Sequence, residues 1–236
     1  MKIALIGFGK MGREMDSVAR EQGESIVRVF DSQHPLRPEA LAEADICIEF
    51  STPESVLSNI EAAVKAGKDI VIGTTGWYSH LPEVRGMVKQ SGLLYSSNFS
   101  LGMNMFFRIA KRAAELMQNA QHYDPYIQEI HHRQKVDSPS GTAMVLAQIL
   151  LDRIERKKGV LKQPPEGKIQ PDMLHISSTR AGQLAGTHTI GFDSEADLIE
   201  LRHTAKSRRG FAIGALTAAQ WLRGRKGVYT MDDVEL

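Results

Sequence analysis

The stretch Glu129-Ile130-His131-His132-Arg133-Gln134-Lys135-Val136-Asp137-Ser138-Pro139-Ser140-Gly141-Thr142-Ala143 places two imidazoles, an ammonium group and a helix-start signal within fifteen residues. Ser138 and Pro139 read as an N-cap and first helical residue, which leaves the amides of Ser140, Gly141 and Thr142 to donate to an anion. With Lys135 and the histidines immediately upstream, such a pocket suits a substrate carboxylate, and an imidazole beside it can move a proton at neutral pH. If His131 and His132 both extend a strand, they point to opposite sides, so one of them is structural unless the chain turns there. Two other readings stay open. A metal site on adjacent histidines lacks a carboxylate or third histidine at recognisable ligand spacing, so none is expected; a cluster of solvated surface charge is the other.

A second constellation lies at the start of the chain. Gly7-Phe8-Gly9-Lys10-Met11-Gly12 follows an apolar run, Lys2–Ile6, and opens a helical pattern. In a G-x-G-x-x-G loop the first glycine permits a tight turn and the second lets a pyrophosphate approach the backbone; the third allows helix and strand to pack closely. Free amides at the helix start then meet the pyrophosphate. Asp31 stands 19 residues after Gly12, where an acid can bind the ribose hydroxyls. Its carboxylate favours NADH, whereas Lys10 and Arg13 leave NADPH open. Gly73-Thr74-Thr75-Gly76 and Ser96-Ser97-Asn98-Phe99-Ser100 follow later strands and read either as cofactor contacts beyond the strand ends or as ordinary turns.

The elements that must hold these groups alternate over the first hundred residues. Lys2–Ile6, Ile26–Phe30, Ile46–Phe50, Ile70–Ile72 and Leu93–Tyr95 read as strands, separated by helical patterns such as Pro53–Ala66, with Thr52 as N-cap and Gly67 beyond the end. This predicts an α/β unit, a Rossmann-type dinucleotide-binding domain on a parallel sheet. Beyond Asn98 the pattern changes. A helix is predicted over Met103–Asn119, with Phe106, Ile109, Ala110, Ala113, Leu116 and Met117 as its apolar stripe; a strand follows over Tyr126–Ile130 and a helix from Gly141 to about Arg156. Lys157–Pro171 reads as an exposed loop, Thr187–Phe192 and Leu198–His203 as strands, and Phe211–Leu222 as a buried helix before a short tail. A second α+β domain on a mostly antiparallel open sheet is the expectation. Domain limits are 1–103 with 208–236 for the first and 104–207 for the second.

The 236 residues suffice for two modest cores, and 29 basic against 28 acidic residues give no sign of a nucleic-acid partner. Cys47 is the only cysteine, which excludes an intrachain disulfide and fits a reducing compartment. Neither a leader nor a membrane-spanning apolar run is read, so a cytoplasmic protein is expected.

Taken together, these motifs resemble the 4-hydroxy-tetrahydrodipicolinate reductase (dihydrodipicolinate reductase) family of the diaminopimelate route to lysine. The resemblance rests on the glycine loop, Gly73–Gly76, the run Asn98-Phe99-Ser100-x-Gly102-x-Asn104, the Glu129–Ala143 signature, and His203-x-Ala205-x-Ser207-Arg208 with Phe211-Ala212-x-Gly214-Ala215. It spans essentially the whole chain. It implies His131 as proton donor or acceptor, Lys135 as a second donor, and His132, Lys135, Ser140, Gly141 and Thr142 on the substrate carboxylates. It implies cofactor contacts from Gly7, Phe8, Gly9, Lys10, Met11, Gly12, Asp31, Gly73, Thr74, Thr75, Ser97, Asn98, Phe99, Ser100, Arg208 and Phe211. NADH or NADPH as cofactor, a small dicarboxylate substrate and a homotetramer built through the second domain's sheet follow from the same resemblance. Ser138 stands where alanine is common, and Glu49-Phe50-Ser51 replaces an aspartate-Phe pair. Two alternatives stand beside it: a related amino- or imino-acid dehydrogenase, and a non-enzymatic NADH-sensing regulator.

Overall fold

The computed structural model describes residues 1–162 and 167–235. The chain divides into two compact units, Met1–Asn104 with Arg208–Leu236, and Met105–Ser207.

In the first unit β1 (Lys2–Ile6), α1 (Lys10–Glu21), β2 (Ser25–Phe30), β3 (Ile46–Glu49), α2 (Val56–Lys65), β4 (Asp69–Ile72), α3 (Leu81–Met87) and β5 (Gly92–Tyr95) alternate. After the other unit, α6 (Arg209–Leu222) and β11 (Gly227–Thr230) complete it. The sheet order is β11-β5-β4-β3-β1-β2, with every pair parallel. Alternation along β1 explains the layering. Ile3 and Leu5 face a core shared with Met15 and Val18 of α1 and Ala215 and Leu216 of α6, while Ala4 and Ile6 face Val56, Ile60 and Ala63 of α2. Strand order reverses between β1 and β3, the position in an open α/β sheet beyond whose strand ends ligands bind.

Two details differ from the sequence reading. Residues 53–55 form a turn, and α2 starts at Val56, whose amide reaches back to the Thr52 carbonyl at 3.1 Å. The expected short tail contains β11, an edge strand four residues long, too brief for a readable alternation.

The second unit contains most of α4 (Leu101–Asn119), then β6 (Asp124–His131), α5 (Gly141–Leu151), β7 (Gly159–Leu161), β8 (Met173–Arg180), β9 (Thr187–Asp193) and β10 (Leu198–Thr204). Its sheet runs β10-β9-β6-β8-β7. The expectation of a mostly antiparallel sheet is corrected: β10, β9 and β6 pair antiparallel, but β6, β8 and β7 pair parallel. The cause is the helical crossover of α5, which returns the chain to the sheet in its original direction. The sheet is mixed.

Within the expected loop, Gly159–Leu161 form β7, and the residue that opens the loop is buried. Lys157 is 3% exposed, and its ammonium binds the Pro171 and Met173 carbonyls at 2.8 and 2.9 Å and the Asp124 carboxylate at 2.5 Å. Residues 163–166 of the expected loop lie outside the described residues. On α4 the buried stripe is Met103, Phe106, Ala110 and Ala114, whereas the expected members Ile109 and Leu116 are exposed. Among the described residues no helix is long and apolar enough to cross a membrane.

Candidate active site

In the glycine loop each of the three positions has its own physical demand. Gly7 adopts φ +89° as its amide bonds the Phe30 carbonyl at 2.8 Å. At Gly12 a Cβ would come within 2.1 Å of the Gly7 carbonyl oxygen. At Gly9 a Cβ would meet nothing within 4 Å among the described residues, so the backbone there is open to an approaching group. Gly9 is also the N-cap of α1, with no side-chain cap and no acidic residue in the first turn, which leaves the positive end of the helix uncompensated. This geometry fits a dinucleotide pyrophosphate. Lys10 is exposed at the first helical position, while Phe8 and Met11 pack partly against the core.

Asp31 follows the end of β2. Its Oδ1 accepts from the His34 and Gln33 amides at 2.8 and 2.9 Å and from the His34 ring. The His34 amide above all holds the carboxyl below its ordinary range. Beyond β4, Thr74 is buried with Oγ1 unpartnered among the described residues, and Thr75 is exposed. A Cβ at Gly73 would strike the Phe50 ring at 2.0 Å, so Phe50 and this loop pack tightly. Ser97 is exposed and Asn98 half-buried, but Phe99 and Ser100 turn inward. Phe99 is 2% exposed, and the Ser100 hydroxyl accepts from the Met103 amide at 3.3 Å. Arg208, exposed, and Phe211, half-buried, stand at the start of α6.

In the second unit register assembles the site. On β6, Ile127, Glu129 and His131 share one face by strand alternation. Glu129 lies opposite His188 of β9 and Ser178 of β8, and His131 lies opposite Arg180. The Glu129 carboxylate, wholly buried, holds His131 Nδ1 through Oε2; Oε1 accepts from Arg180 Nη2 at 2.7 Å and from the Ser140 amide at 3.3 Å. Burial alone would raise its pKa, but hydrogen bonds from His131 and Arg180 outweigh this and hold it well below the carboxylate range. His188 Nε2 lies 3.1 Å from Ser140 Oγ, and its ring meets that of His131 edge-on at 5.1 Å. Burial pushes His188 down to about 4, so it is neutral at pH 7.

The strand ends at His131 and the chain turns, with the Lys135 amide on the His132 carbonyl at 3.1 Å. His131 is therefore buried while His132 is half-buried, its Nδ1 unpartnered among the described residues. Lys135 Nζ binds Asp137 Oδ1 at 2.7 Å. The helix start needs correction. Ser140, not Ser138, is the N-cap of α5, accepting from the Ala143 amide at 3.2 Å, and the Ser138–Pro139 peptide is cis. With its amide on Glu129 and its hydroxyl on the cap, Ser140 is 2% exposed and holds the helix start rather than lining it. Gly141 is exposed and Thr142 half-buried at the first turn.

Glu129, Arg180 and His188 have no role in the sequence reading. The i, i+2 spacing of Glu129 and His131 is a local signal that could have found the first; Arg180 and His188 come from strands 49 and more residues away, and no spacing announces them. Glu129, His131 and His188 bring ligand-type atoms within 4.8 Å of one another, so folding does supply the carboxylate and third histidine that spacing lacked. The Arg180 guanidinium already neutralises that carboxylate, and a cation would have to displace it.

Models of the N- and C-terminal parts of dihydrodipicolinate reductase match residues 1–99 and 102–234. The chain belongs to the dihydrodipicolinate reductase family. It is 40% identical over 240 residues to a 4-hydroxy-tetrahydrodipicolinate reductase of Christiangramia forsetii, covering 99% of this chain and 97% of that one. It is 35% identical over 259 residues to the enzyme of that name from Archaeoglobus fulgidus, covering 99% of both. In fold it is similar to a dipicolinate-bound dihydrodipicolinate reductase from Paenisporosarcina sp. TG-14, with TM-score 0.80 and 24% identity over 100% of this chain and 99% of that one. The two units of this family member thus carry, separately, a dinucleotide-type loop and a cluster of imidazole, ammonium and helix-start groups.

Proposed function

We propose that this chain is an NAD(P)H-dependent 4-hydroxy-tetrahydrodipicolinate reductase of the diaminopimelate and lysine route. NAD(P)H, a proton and 4-hydroxy-tetrahydrodipicolinate give NAD(P)⁺, tetrahydrodipicolinate and water. The reading is carried by one observation: beside buried His131, the 132–142 segment collects a His132 ring nitrogen that has no partner among the described residues, the Lys135 ammonium and the start of α5. That set matches a small dicarboxylate, the chemical class of the dipicolinate bound to the Paenisporosarcina relative.

Residues 1–103 with 208–236 are the dinucleotide domain in this reading. Gly7–Gly12 receive the pyrophosphate, Asp31 the ribose, and Gly73–Thr75, Ser97, Asn98, Arg208 and Phe211 the nicotinamide half. Phe99 and Ser100 act through their backbone or by shaping the loop. Bound NAD(P)H supplies the hydride. Residues 104–207 form the substrate and oligomerisation domain. His132, Lys135, Gly141 and Thr142 hold the carboxylates, Ser140 fixes the helix start, and His131, with Lys135, provides the proton that offsets charge arriving with the hydride. Ionised Asp31 favours NADH, with Lys10 near enough to admit NADPH. Exposed Leu198 and Ile199 on β10 and Ile109 and Leu116 on α4 offer apolar surface for a cytoplasmic homotetramer.

The test follows NADH and NADPH oxidation by absorbance with enzymatically generated substrate, in wild type and His131→Ala. We expect turnover by the wild type, and cofactor affinity retained with kcat about 10²- to 10⁴-fold lower in the variant. Absence of substrate-dependent oxidation in the wild type, or full turnover by the variant, would overturn the reading.

A further inference from the structure

We propose that Glu129, clamped by Arg180, is the positioning residue that fixes the tautomer of His131, so that Nε2 is the atom at which the transferred proton arrives and leaves. The inference rests on the reductase reading and adds to it groups from β6, β8 and β9 that the sequence signature leaves without a role.

Donors and acceptors decide the tautomer. An ionised carboxylate only accepts, so the ring nitrogen facing Glu129 Oε2 must carry a hydrogen. That nitrogen is Nδ1. In the neutral ring Nε2 is then the lone-pair nitrogen, and protonation and deprotonation occur there. The mechanism requires Glu129 to stay ionised although it is wholly buried. Arg180 Nη2 at 2.7 Å and the Ser140 amide at 3.3 Å supply the compensation, and Arg180 Nη2 also ties down the Asp137 carbonyl at 2.7 Å. The carboxyl is accordingly held well below its ordinary range.

Space around Nε2 is arranged as well. A Cβ at Gly186 would lie 2.8 Å from His131 Nε2, at φ +143°, so the glycine keeps that side of the ring clear. His188 stands edge-on to His131 but points Nε2 at Ser140 Oγ, and its neutral ring places no second cation beside the Glu129 carboxylate. The charged and titratable surroundings of His131 are thus Glu129 on β6, Arg180 on β8 and His188 on β9. Lys135, paired with Asp137 ahead of α5, and His203 on β10 act on the neighbouring His188 ring. Through Ser140, whose amide binds Glu129 and whose hydroxyl caps α5, the same network sets the proton donor and the helix start together.

Glu129→Gln tests this, with Glu129→Asp as the conservative variant. In the free wild-type protein, histidine ring ¹⁵N shifts should report His131 protonated at Nδ1; in Glu129→Gln the carboxamide can donate, and the hydrogen should move to Nε2. Steady-state kinetics of Glu129→Gln should show kcat falling about 100-fold or more, with KM for the dicarboxylate within about threefold and cofactor affinity unchanged. One limb of its kcat–pH profile should move to lower pH by about one unit or more, since an opposing charge has been removed. Glu129→Asp should recover part of kcat and of the profile. If Glu129→Gln does not fold, Arg180→Lys should shift kcat in the same direction by a smaller factor. A neutral His131 ring in the wild type with its hydrogen on Nε2 and none on Nδ1, or a kcat loss with an unmoved pH profile, would overturn the proposal. A wild type inactive on the substrate would sink the reductase reading, while the ring spectra would still decide the tautomer.

Discussion

Gly9→Ala separates a binding role of the glycine loop from a folding role. Gly9 has φ −76° and ψ −154°, an extended conformation open to alanine, and a Cβ there meets nothing within 4 Å among the described residues. Two small terms act on stability. Restricting the unfolded chain contributes about 0.4–1 kcal/mol, and replacing glycine by alanine at an N-cap costs roughly 0.5–1 kcal/mol. They nearly cancel, so the cofactor-free Tm should stay within about 3 °C of wild type. The methyl would nevertheless occupy the space through which a pyrophosphate reaches the α1 amides. Losing one hydrogen bond to a charged group costs about 1.5–3 kcal/mol, which corresponds to a Kd for NADH or NADPH about 10- to 100-fold weaker. Gly12→Ala provides the contrast: with its Cβ 2.1 Å from the Gly7 oxygen, overpacking should cost about 1–3 kcal/mol, lowering Tm and affinity together. Calorimetric titration and thermal melts of both variants measure the four quantities. Wild-type cofactor affinity in Gly9→Ala would refute the placement of the pyrophosphate over this loop.

Acid should weaken the second unit in two stages. His188 titrates at about 4 when folded against 6.5 ordinarily, so the unfolded chain takes up its proton first; its stability contribution is intact above 6.5 and declines toward 4, by up to about 3 kcal/mol. Glu129, lowered from 4.5, contributes stability above that value that is lost as pH falls further. Urea midpoints measured from pH 7 to 4 should drop, and His188→Gln should flatten the upper stage; equal slopes in both proteins would contradict it. Ser140→Ala removes the cap on the Ala143 amide and the partner of His188, and should cost about 1–2 kcal/mol in urea unfolding. An unchanged midpoint would mean that this cap contributes nothing.

What can be read in the sequence is local. Strand–helix alternation in the first hundred residues and the Gly7–Gly12 spacing depend on neighbours a few residues apart, and the parallel sheet with its loop at the switch point follows from them. The cap of α5 is harder to place because Pro139 is as compatible with the extended residue before a cap as with the first helical position, and a serine stands on either side of it. β8, Met-Leu-His-Ile-Ser-Ser-Thr-Arg, buries only Leu174 and Ile176, too weak an alternation to stand out, and without it neither the parallel pairings nor the place of Arg180 can be inferred.

The buried cluster depends on pairing between distant strands, and this ties the site to the sheet. Glu129 meets His188 and His131 meets Arg180 only in the observed registers of β6 with β9 and β8. A slip of one residue in either pairing would carry His188 or Arg180 to the opposite face. It would strand the Glu129 carboxylate in the interior without its guanidinium, or leave the Ser140 hydroxyl without its imidazole. The cost of an unpaired buried charge, several kcal/mol, falls on the slipped register alone. The polar groups that hold His131 therefore also discriminate among strand pairings, and a variant that neutralises both Glu129 and Arg180 would test register as much as catalysis.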